Sequence, residues 1–211
     1  MDKYEFNIKV EQIKKMVSRG DYETAMKIAD TIDWHRVRNA SLLSMIAEIY
    51  EKNKEYQEAK DILLLAFERA PIGKRLLYKL TDLALKEGNI AEAEAYYREF
   101  CDLAQDDSRQ YLLRYLILKA KKAPLDQLIR ALETYTAVEV DEKWLYELAE
   151  LYHKGGMGDQ CVRTCDKIML LFGLGKYVEK AMDLKLEYEP LNKYQMDLVE
   201  NRDKYEAKLR A

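Results

Sequence analysis

Two cysteines and a histidine come closer to a metal-binding set than any other residues of this 211-residue sequence. Cys161 and Cys165 are four positions apart, so a helix would place both thiols on one face, and His153 precedes them. Sequence motifs that specify zinc use closer spacing, such as repeated Cys-x-x-Cys pairs. Both cysteines also fit the apolar positions of a helical pattern, where a free cysteine packs as a small hydrophobic side chain. We therefore expect no metal ion and no other cofactor.

Motifs for catalysis are not visible in the sequence either. The glycine-rich stretch 155–158 lacks the Lys-Ser or Lys-Thr pair of a phosphate-binding loop, and its position between two helical segments explains it as a turn. His35 falls in a connecting segment, and no Ser–His–Asp or Cys–His arrangement stands out. We predict that the protein is not an enzyme.

Composition and charge narrow the class of protein further. The chain has 35 basic and 38 acidic side chains, without the basic excess that nucleic-acid-binding proteins use to neutralise phosphates. It has only 8 Gly and 3 Pro, which argues against an all-β fold with its many turns. The sequence shows no signal peptide, no apolar run long enough to enter a membrane, and an odd number of cysteines, three. These features predict a cytoplasmic location without nucleic-acid binding or membrane insertion.

An internal repeat organises the chain. Ala25, Ala59 and Ala93 are each 34 residues apart, and each follows a short turn-forming segment. Cys161 takes the alanine position in a later copy, and Leu128 takes it in a degenerate copy. Apolar residues recur at helical spacing on both sides of these turns, so the repeating unit is a helix, a short turn and a second helix.

The second copy shows the pattern most completely. The following residues form the pattern in this copy: Leu43, Ile46, Ala47, Tyr50, Ala59, Leu63 and Ala66. This pattern resembles the tetratricopeptide repeat (TPR), a helical hairpin of 34 residues whose neighbours stack into a superhelix. The resemblance covers nearly the whole chain and implies an all-α solenoid of about six hairpins, with units 4–36, 37–72, 73–107, 108–139, 140–172 and 173–211.

The same resemblance implies a function. Repeats of this family form a concave groove from their first helices, and that groove holds polypeptide segments. By register, Tyr78, Leu113, Ile117 and Tyr146 would lie in the groove, with Glu48, Asp82 and Glu150 at its edge. We therefore predict a protein-interaction scaffold whose partner segment combines apolar and basic residues. The alternatives are an intracellular peptide-sensing regulator and an accessory domain of an enzyme.

The first helix of the fourth unit allows two interpretations. Residues 111–118 are apolar on nearly every side, which is typical of a helix buried between neighbours. In the second interpretation, Leu113 and Ile117 form the floor of the groove and remain accessible to a partner.

Helix and chain ends complete the sequence-based predictions. Asn89 and Glu92 have the spacing of a capping box at a helix start. After Pro190 the charged sequence predicts one long helix to Ala211. The chain is predicted to be a single domain, 1–211, either as a whole protein or as the N-terminal part of a longer one.

Overall fold

The structure is a computed structural model that describes residues 1–68 and 73–210, and helices make up most of it. No strand occurs in these residues, and none of their helices is long and apolar enough to cross a membrane. The chain forms two compact units, Met1–Ala120 and Lys121–Ala211. The boundary falls inside the predicted fourth hairpin, 108–139, and a single domain over 1–211 stays a prediction.

Unit 1 contains seven α-helices and a short 3₁₀ helix at Trp34–Arg36 among its described residues. In chain order the helices are α1 (Lys3–Ser18), α2 (Tyr22–Ala29), α3 (Ala40–Lys52), α4 (Tyr56–Phe67), α5 (Lys74–Glu87), α6 (Ile90–Leu103) and α7 (Arg109–Ala120). Helices α1 and α2, α3 and α4, and α5 and α6 pack as hairpins, and each second helix also packs on the next first helix. This arrangement agrees with the hairpins predicted from the repeat.

Unit 2 contains six α-helices among its described residues. They are α8 (Leu125–Val138), α9 (Glu142–Lys154), α10 (Gly158–Phe172), α11 (Lys176–Leu186), α12 (Lys193–Glu200) and α13 (Arg202–Arg210). Helices α9 and α10 form a hairpin, and α11 packs on both of them.

The repeat controls both the core and the turns. Ala25, Ala59, Ala93 and Cys161 are fully buried, as expected for positions where two helices of a hairpin approach closely. A left-handed backbone conformation, with φ between 57° and 85°, recurs every 34 residues in the turns that join the two helices of each repeat. The residues with this conformation are Gly20, Lys54, Gly88, Lys122 and Gly156. The turn geometry therefore continues through the fourth repeat, where the apolar pattern is weakest.

Only one half of the predicted capping box forms at α6. The Asn89 side chain accepts a hydrogen bond from the Glu92 amide (3.1 Å), as predicted. The Glu92 carboxylate instead accepts hydrogen bonds from the Asn89 side chain and from Lys60 Nζ, both at 2.8 Å. Lys60 is fully buried and also pairs with Glu87, so Glu92 serves to neutralise a buried charge.

The prediction of one long helix after Pro190 is wrong. Helix α12 begins at Lys193 with a capping box between Asn192 and Gln195, and it ends at Glu200. Asn201 caps the end of this helix, and its side-chain amide donates to the Asp197 carbonyl (3.2 Å) and carboxylate (2.6 Å). A separate short helix, α13, follows this break.

Candidate functional site

The predicted groove residues fall into two groups, one in each unit. Glu48 on α3 is exposed, and Tyr78 and Asp82 on α5 are partly exposed. Leu113 and Ile117 lie on α7 at the end of unit 1. Tyr146 and Glu150 lie on α9 in unit 2, and both are partly exposed.

The prediction that Leu113 and Ile117 form a groove floor is wrong. Leu113 is fully buried and packs in a core cluster with Leu77, Phe100 and Ala104. Ile117 is 6% exposed. The apolar character of α7 therefore stabilises the core of unit 1, and neither side chain is available to a partner in this structure.

Tyr78 is covered by a cation of its own unit. Its ring meets Phe100 edge to face, with centroids 6.2 Å apart, and the Arg109 guanidinium lies 5.4 Å above the Tyr78 ring. Arg109 is held in place by Asp107, because Nε donates to Oδ1 at 3.0 Å and Nη2 donates to Oδ2 at 2.8 Å. These hydrogen bonds hold the pKa of the Asp107 carboxyl well below its usual range. Tyr78 is thus part of a closed structural cluster.

The acidic edge predicted in unit 1 is largely neutralised. Asp82 lies 3.7 Å from Lys79 Nζ and 3.2 Å from Lys86 Nζ. The same two lysines pair with Glu51, at 2.6 Å and 3.4 Å. Of the predicted acidic residues in unit 1, Glu48 alone remains fully exposed.

Tyr146 in unit 2 has a more open environment. Its ring lies beside the ring of Tyr177 on α11, with centroids 6.1 Å apart and planes inclined by 42°. We call these two residues the tyrosine pair. Lys180, also on α11, places its Nζ 5.7 Å from the Tyr146 centroid and 5.5 Å from the Tyr177 centroid. This distance is within the range of cation–π attraction.

Burial is the main reason that the pKa of Tyr146 rises to about 12, and the nearby charge of Glu150 adds to this effect. The Asp183 carboxylate raises the same pKa. The Tyr146 phenol therefore stays neutral at physiological pH. The Glu150 and Asp183 carboxylates lie near its ring. Tyr146 and Glu150 are four residues apart on α9, and Tyr177 and Lys180 of α11 lie close to Tyr146. A partner-binding role for Tyr146 and Glu150 stays a prediction.

Unit 1 also contains a cleft that the repeat register alone did not indicate. It has a volume of about 1080 Å³ and lies between α1, the connection before α3, and α3 itself. We call it the N-terminal cleft. Its apolar lining consists of Met1, Phe6, Val10, Ile32, Val37, Leu42 and Met45.

Charged side chains surround this apolar lining. Lys14 pairs with Glu11 at 3.7 Å, and Arg36 lies 3.9 Å from Asp33. The other two basic side chains of the lining are Lys3 and Arg38, and neither makes an ion pair within the part of the chain that the structure describes. The N-terminal cleft therefore combines an apolar floor with two cations that are available to a ligand.

The long connection between α2 and α3 forms one wall of the N-terminal cleft. Trp34 anchors this connection, because its indole Nε1 donates to the Ala29 carbonyl at 3.0 Å and its ring meets Phe6 edge to face. The sequence signal was the stretch from Asp33 to Arg36, which extends the connection beyond the length of a tight turn. From the sequence alone, this stretch is predicted only as a loop between hairpins.

The cysteines that opened the sequence analysis are free thiols. Cys161 and Cys165 are fully buried, and burial raises the pKa of both thiols. His153 contacts the Tyr188 hydroxyl through Nδ1, and its Nε2 lies 3.4 Å from a Glu187 oxygen. Within residues 1–68 and 73–210, no three side chains of the metal-binding types form a group that could hold an ion.

Comparison with known proteins relates the fold to TPR proteins. No protein-family model and no curated protein sequence matches the chain. A TPR protein from Parabacteroides merdae superposes with a TM-score of 0.62 at 13% identity, over 94% of this chain and 84% of that one. MamA from Desulfovibrio magneticus gives 0.56 at 16% identity, over 87% and 96% of the two chains. The structure of YrrB, described as a TPR protein with an unusual peptide-binding site, gives 0.50 at 17% identity, over 83% and 90%.

The chain has the fold of a TPR-like helical solenoid. This conclusion rests on the helical hairpins, the 34-residue recurrence of the left-handed turn and the similarity to these solved structures. At identities of 13% to 17% the similarity concerns the fold alone.

Proposed function

We propose that the protein is an interaction scaffold that binds a segment of a partner polypeptide, with the N-terminal cleft as its binding surface in unit 1. The observation that carries this proposal is the cleft itself, with its volume of about 1080 Å³ and its mixed lining. Ligand-binding pockets are concave, mostly apolar, and carry a few polar groups that orient the ligand. The N-terminal cleft has each of these properties.

The lining specifies the kind of segment that fits. Leu42 and Met45 are only partly buried, so an apolar side chain of a partner would cover them. Lys3 and Arg38 would pair with a carboxylate close to that apolar anchor. A partner segment with an acidic residue beside an apolar one therefore suits the N-terminal cleft. The basic partner residues that the sequence predicts suit unit 2.

Two further observations support the proposal. YrrB, whose fold is similar, is described as a TPR protein with an unusual peptide-binding site. The three free cysteines support the predicted cytoplasmic location, which is part of this proposal.

Selection from a random displayed peptide library, followed by fluorescence anisotropy of the selected peptides, tests this function. We expect the selected peptides to share an apolar residue next to an acidic one. Met45→Ser should weaken their binding by about five- to twentyfold, because it removes apolar contact area. Arg38→Gln should weaken binding by about two- to tenfold, with a larger effect at low salt.

Two matched controls make the test specific. Met196→Ser removes an exposed methionine from α12, and Arg75→Gln removes an exposed arginine from α5, both outside the cleft lining. Both controls should bind as the wild type does. Binding that is insensitive to Met45→Ser and Arg38→Gln would exclude the N-terminal cleft as the binding surface.

A further inference from the structure

Two lysines of the same chain already lie over the tyrosine pair in unit 2: Lys180 lies over both rings, and Lys176 lies over Tyr177 alone, 5.5 Å from its centroid. Lys180 Nζ lies within 6 Å of both ring centroids, at 5.7 Å and 5.5 Å. The two rings are inclined by 42°, and the ammonium group lies over both of them. This is the arrangement in which aromatic side chains hold a cationic ligand.

Lys180 is held only loosely in this position. Its side chain is exposed, and within residues 1–68 and 73–210 it makes no ion pair and no hydrogen bond. Lysine has a long flexible side chain, and holding it over the rings costs rotamer entropy. The contact with the two rings offsets part of that cost.

Acidic residues near the tyrosine pair extend the same preference for a positive charge. Glu150 and Asp183 both lie close enough to affect the ionisation of Tyr146. Neither carboxylate makes an ion pair in the described part of the chain, whereas the neighbouring Glu179 pairs with Arg202. Two unpaired carboxylates beside two aromatic faces are suited to a second cation that arrives from outside.

We propose that the tyrosine pair is a binding site for a lysine or arginine side chain of the partner polypeptide, and that Lys180 occupies it until the partner displaces it. This inference rests on the proposed scaffold function and names a chemistry for unit 2. Displacement replaces one cation by another, so the rings never lose their contact, while Lys180 moves into water. An arginine would compete best, because its planar guanidinium stacks on an aromatic ring and can also reach Glu150 or Asp183.

Small cationic probes test the site without any partner protein. Protein labelled with ¹³C at its tyrosine rings is titrated with N-acetyl-arginine methylamide and N-acetyl-lysine methylamide, and ring signals are assigned with Tyr146→Phe and Tyr177→Phe. We expect shifts confined to these two rings. Lys180→Gln should bind the arginine probe about three- to tenfold more tightly than the wild type does, because the one lysine that lies over both rings is gone, while Lys176 remains over Tyr177 in both proteins.

Controls separate the site from general electrostatic attraction. N-acetyl-glutamine methylamide should cause no shift, and Lys167→Gln, which removes an exposed lysine from α10, should leave the affinity unchanged. Tyr177→Leu should abolish the shift of Tyr146, with circular dichroism confirming that the variant is folded. Equal affinity of the wild type and Lys180→Gln would overturn the proposal. Binding of tetramethylammonium alone would also overturn it, since it would indicate a site for a quaternary ammonium ligand.

This test is independent of the test of the proposed function. The probes report only on residues of α9 and α11, and the peptide selection is scored by residues of the N-terminal cleft. If the cleft variants have no effect but Lys180→Gln tightens probe binding, the cleft assignment fails and the tyrosine pair stands. If the cleft variants weaken peptide binding but Lys180→Gln leaves probe binding unchanged, the proposed role of Lys180 fails and the cleft assignment stands.

Discussion

Tyr78 in unit 1 and Tyr146 in unit 2 occupy equivalent positions, two repeats apart in the sequence, yet they have different surroundings. In each unit, a cation from the following first helix lies over the tyrosine ring: Arg109 over Tyr78 at 5.4 Å and Lys180 over Tyr146 at 5.7 Å. A pairing of ring and cation thus occurs in both units, but only the tyrosines are at equivalent positions, since the repeat places Tyr177 and not Lys180 at the position of Arg109.

The two pairings differ in what holds the cation. Arg109 is fixed by two side-chain hydrogen bonds to Asp107, and Lys74 lies 3.1 Å from the same carboxylate. Lys180 has no such anchor among the described residues. A cation that is fixed by a partly buried carboxylate becomes part of the structure, whereas one that rests on rings alone can be exchanged. Equivalent repeat positions can thus be structural in one unit and available for binding in the other.

Removal of the anchor should give the largest effect. Asp107→Ala leaves the Arg109 guanidinium without its bidentate partner. It also removes the hydrogen bond that the Arg109 backbone amide donates to the Asp107 carboxylate (2.9 Å). We expect the free energy of unfolding to fall by about 2–3 kcal/mol, measured by urea denaturation. Lys180→Ala should change it by less than about 0.5 kcal/mol, since the side chain is exposed. A comparable loss in both variants would show that the two cations are anchored equally.

The same comparison predicts a dependence on pH. Arg109 lowers the pKa of the Asp107 carboxyl in the folded state, so this group stabilises the fold above its unfolded pKa, near 3.8. That stabilisation must decrease as the pH falls through the lower folded pKa. The difference in unfolding free energy between the wild type and Asp107→Asn should therefore be constant above about pH 5 and narrow below about pH 4. Other carboxylates titrate in both proteins, so their contributions cancel when the two unfolding free energies are subtracted. A difference that stays constant down to about pH 2 would contradict the role of Asp107.

The helical-hairpin architecture could be predicted from the sequence because it depends on a repeat of 34 residues. The recurrence of small residues at Ala25, Ala59 and Ala93 predicted the hairpins, and these side chains are fully buried. A period can be read from one chain, since each repeat supplies a comparison for the others.

The local departures from the repeat could not be predicted in the same way. Asp107 and Arg109 lie only two residues apart at a helix start, and nothing in the repeat marks them as partners. Leu113 and Ile117 are on a helix that is apolar all round, so the sequence alone could not decide which face is covered. The N-terminal cleft depends on the length and conformation of the connection between α2 and α3, and no other connection within the described residues is as long.

The turns provide the smallest and most direct comparison between repeats. Three of the five recurring left-handed positions carry glycine, which adopts this conformation without strain, and two carry lysine, Lys54 with φ 62° and Lys122 with φ 57°. A side chain with a Cβ atom is strained in this region, by roughly 1 kcal/mol. Replacing lysine by glycine removes this strain and should stabilise the folded state. Part of that stabilisation is offset, because glycine makes the unfolded chain more flexible.

We therefore expect Lys54→Gly in unit 1 and Lys122→Gly in unit 2 each to raise the free energy of unfolding by about 0.5 kcal/mol. The reciprocal variant, Gly88→Ala, should lower it by about 1 kcal/mol, although a Cβ atom there meets nothing within 4 Å, because the strain comes from the backbone. Thermal denaturation of the three variants measures these changes. If Lys122→Gly destabilises while Lys54→Gly stabilises, the fourth repeat does not use its turn as the others do, and the equivalence of positions in the two units would end at Lys122.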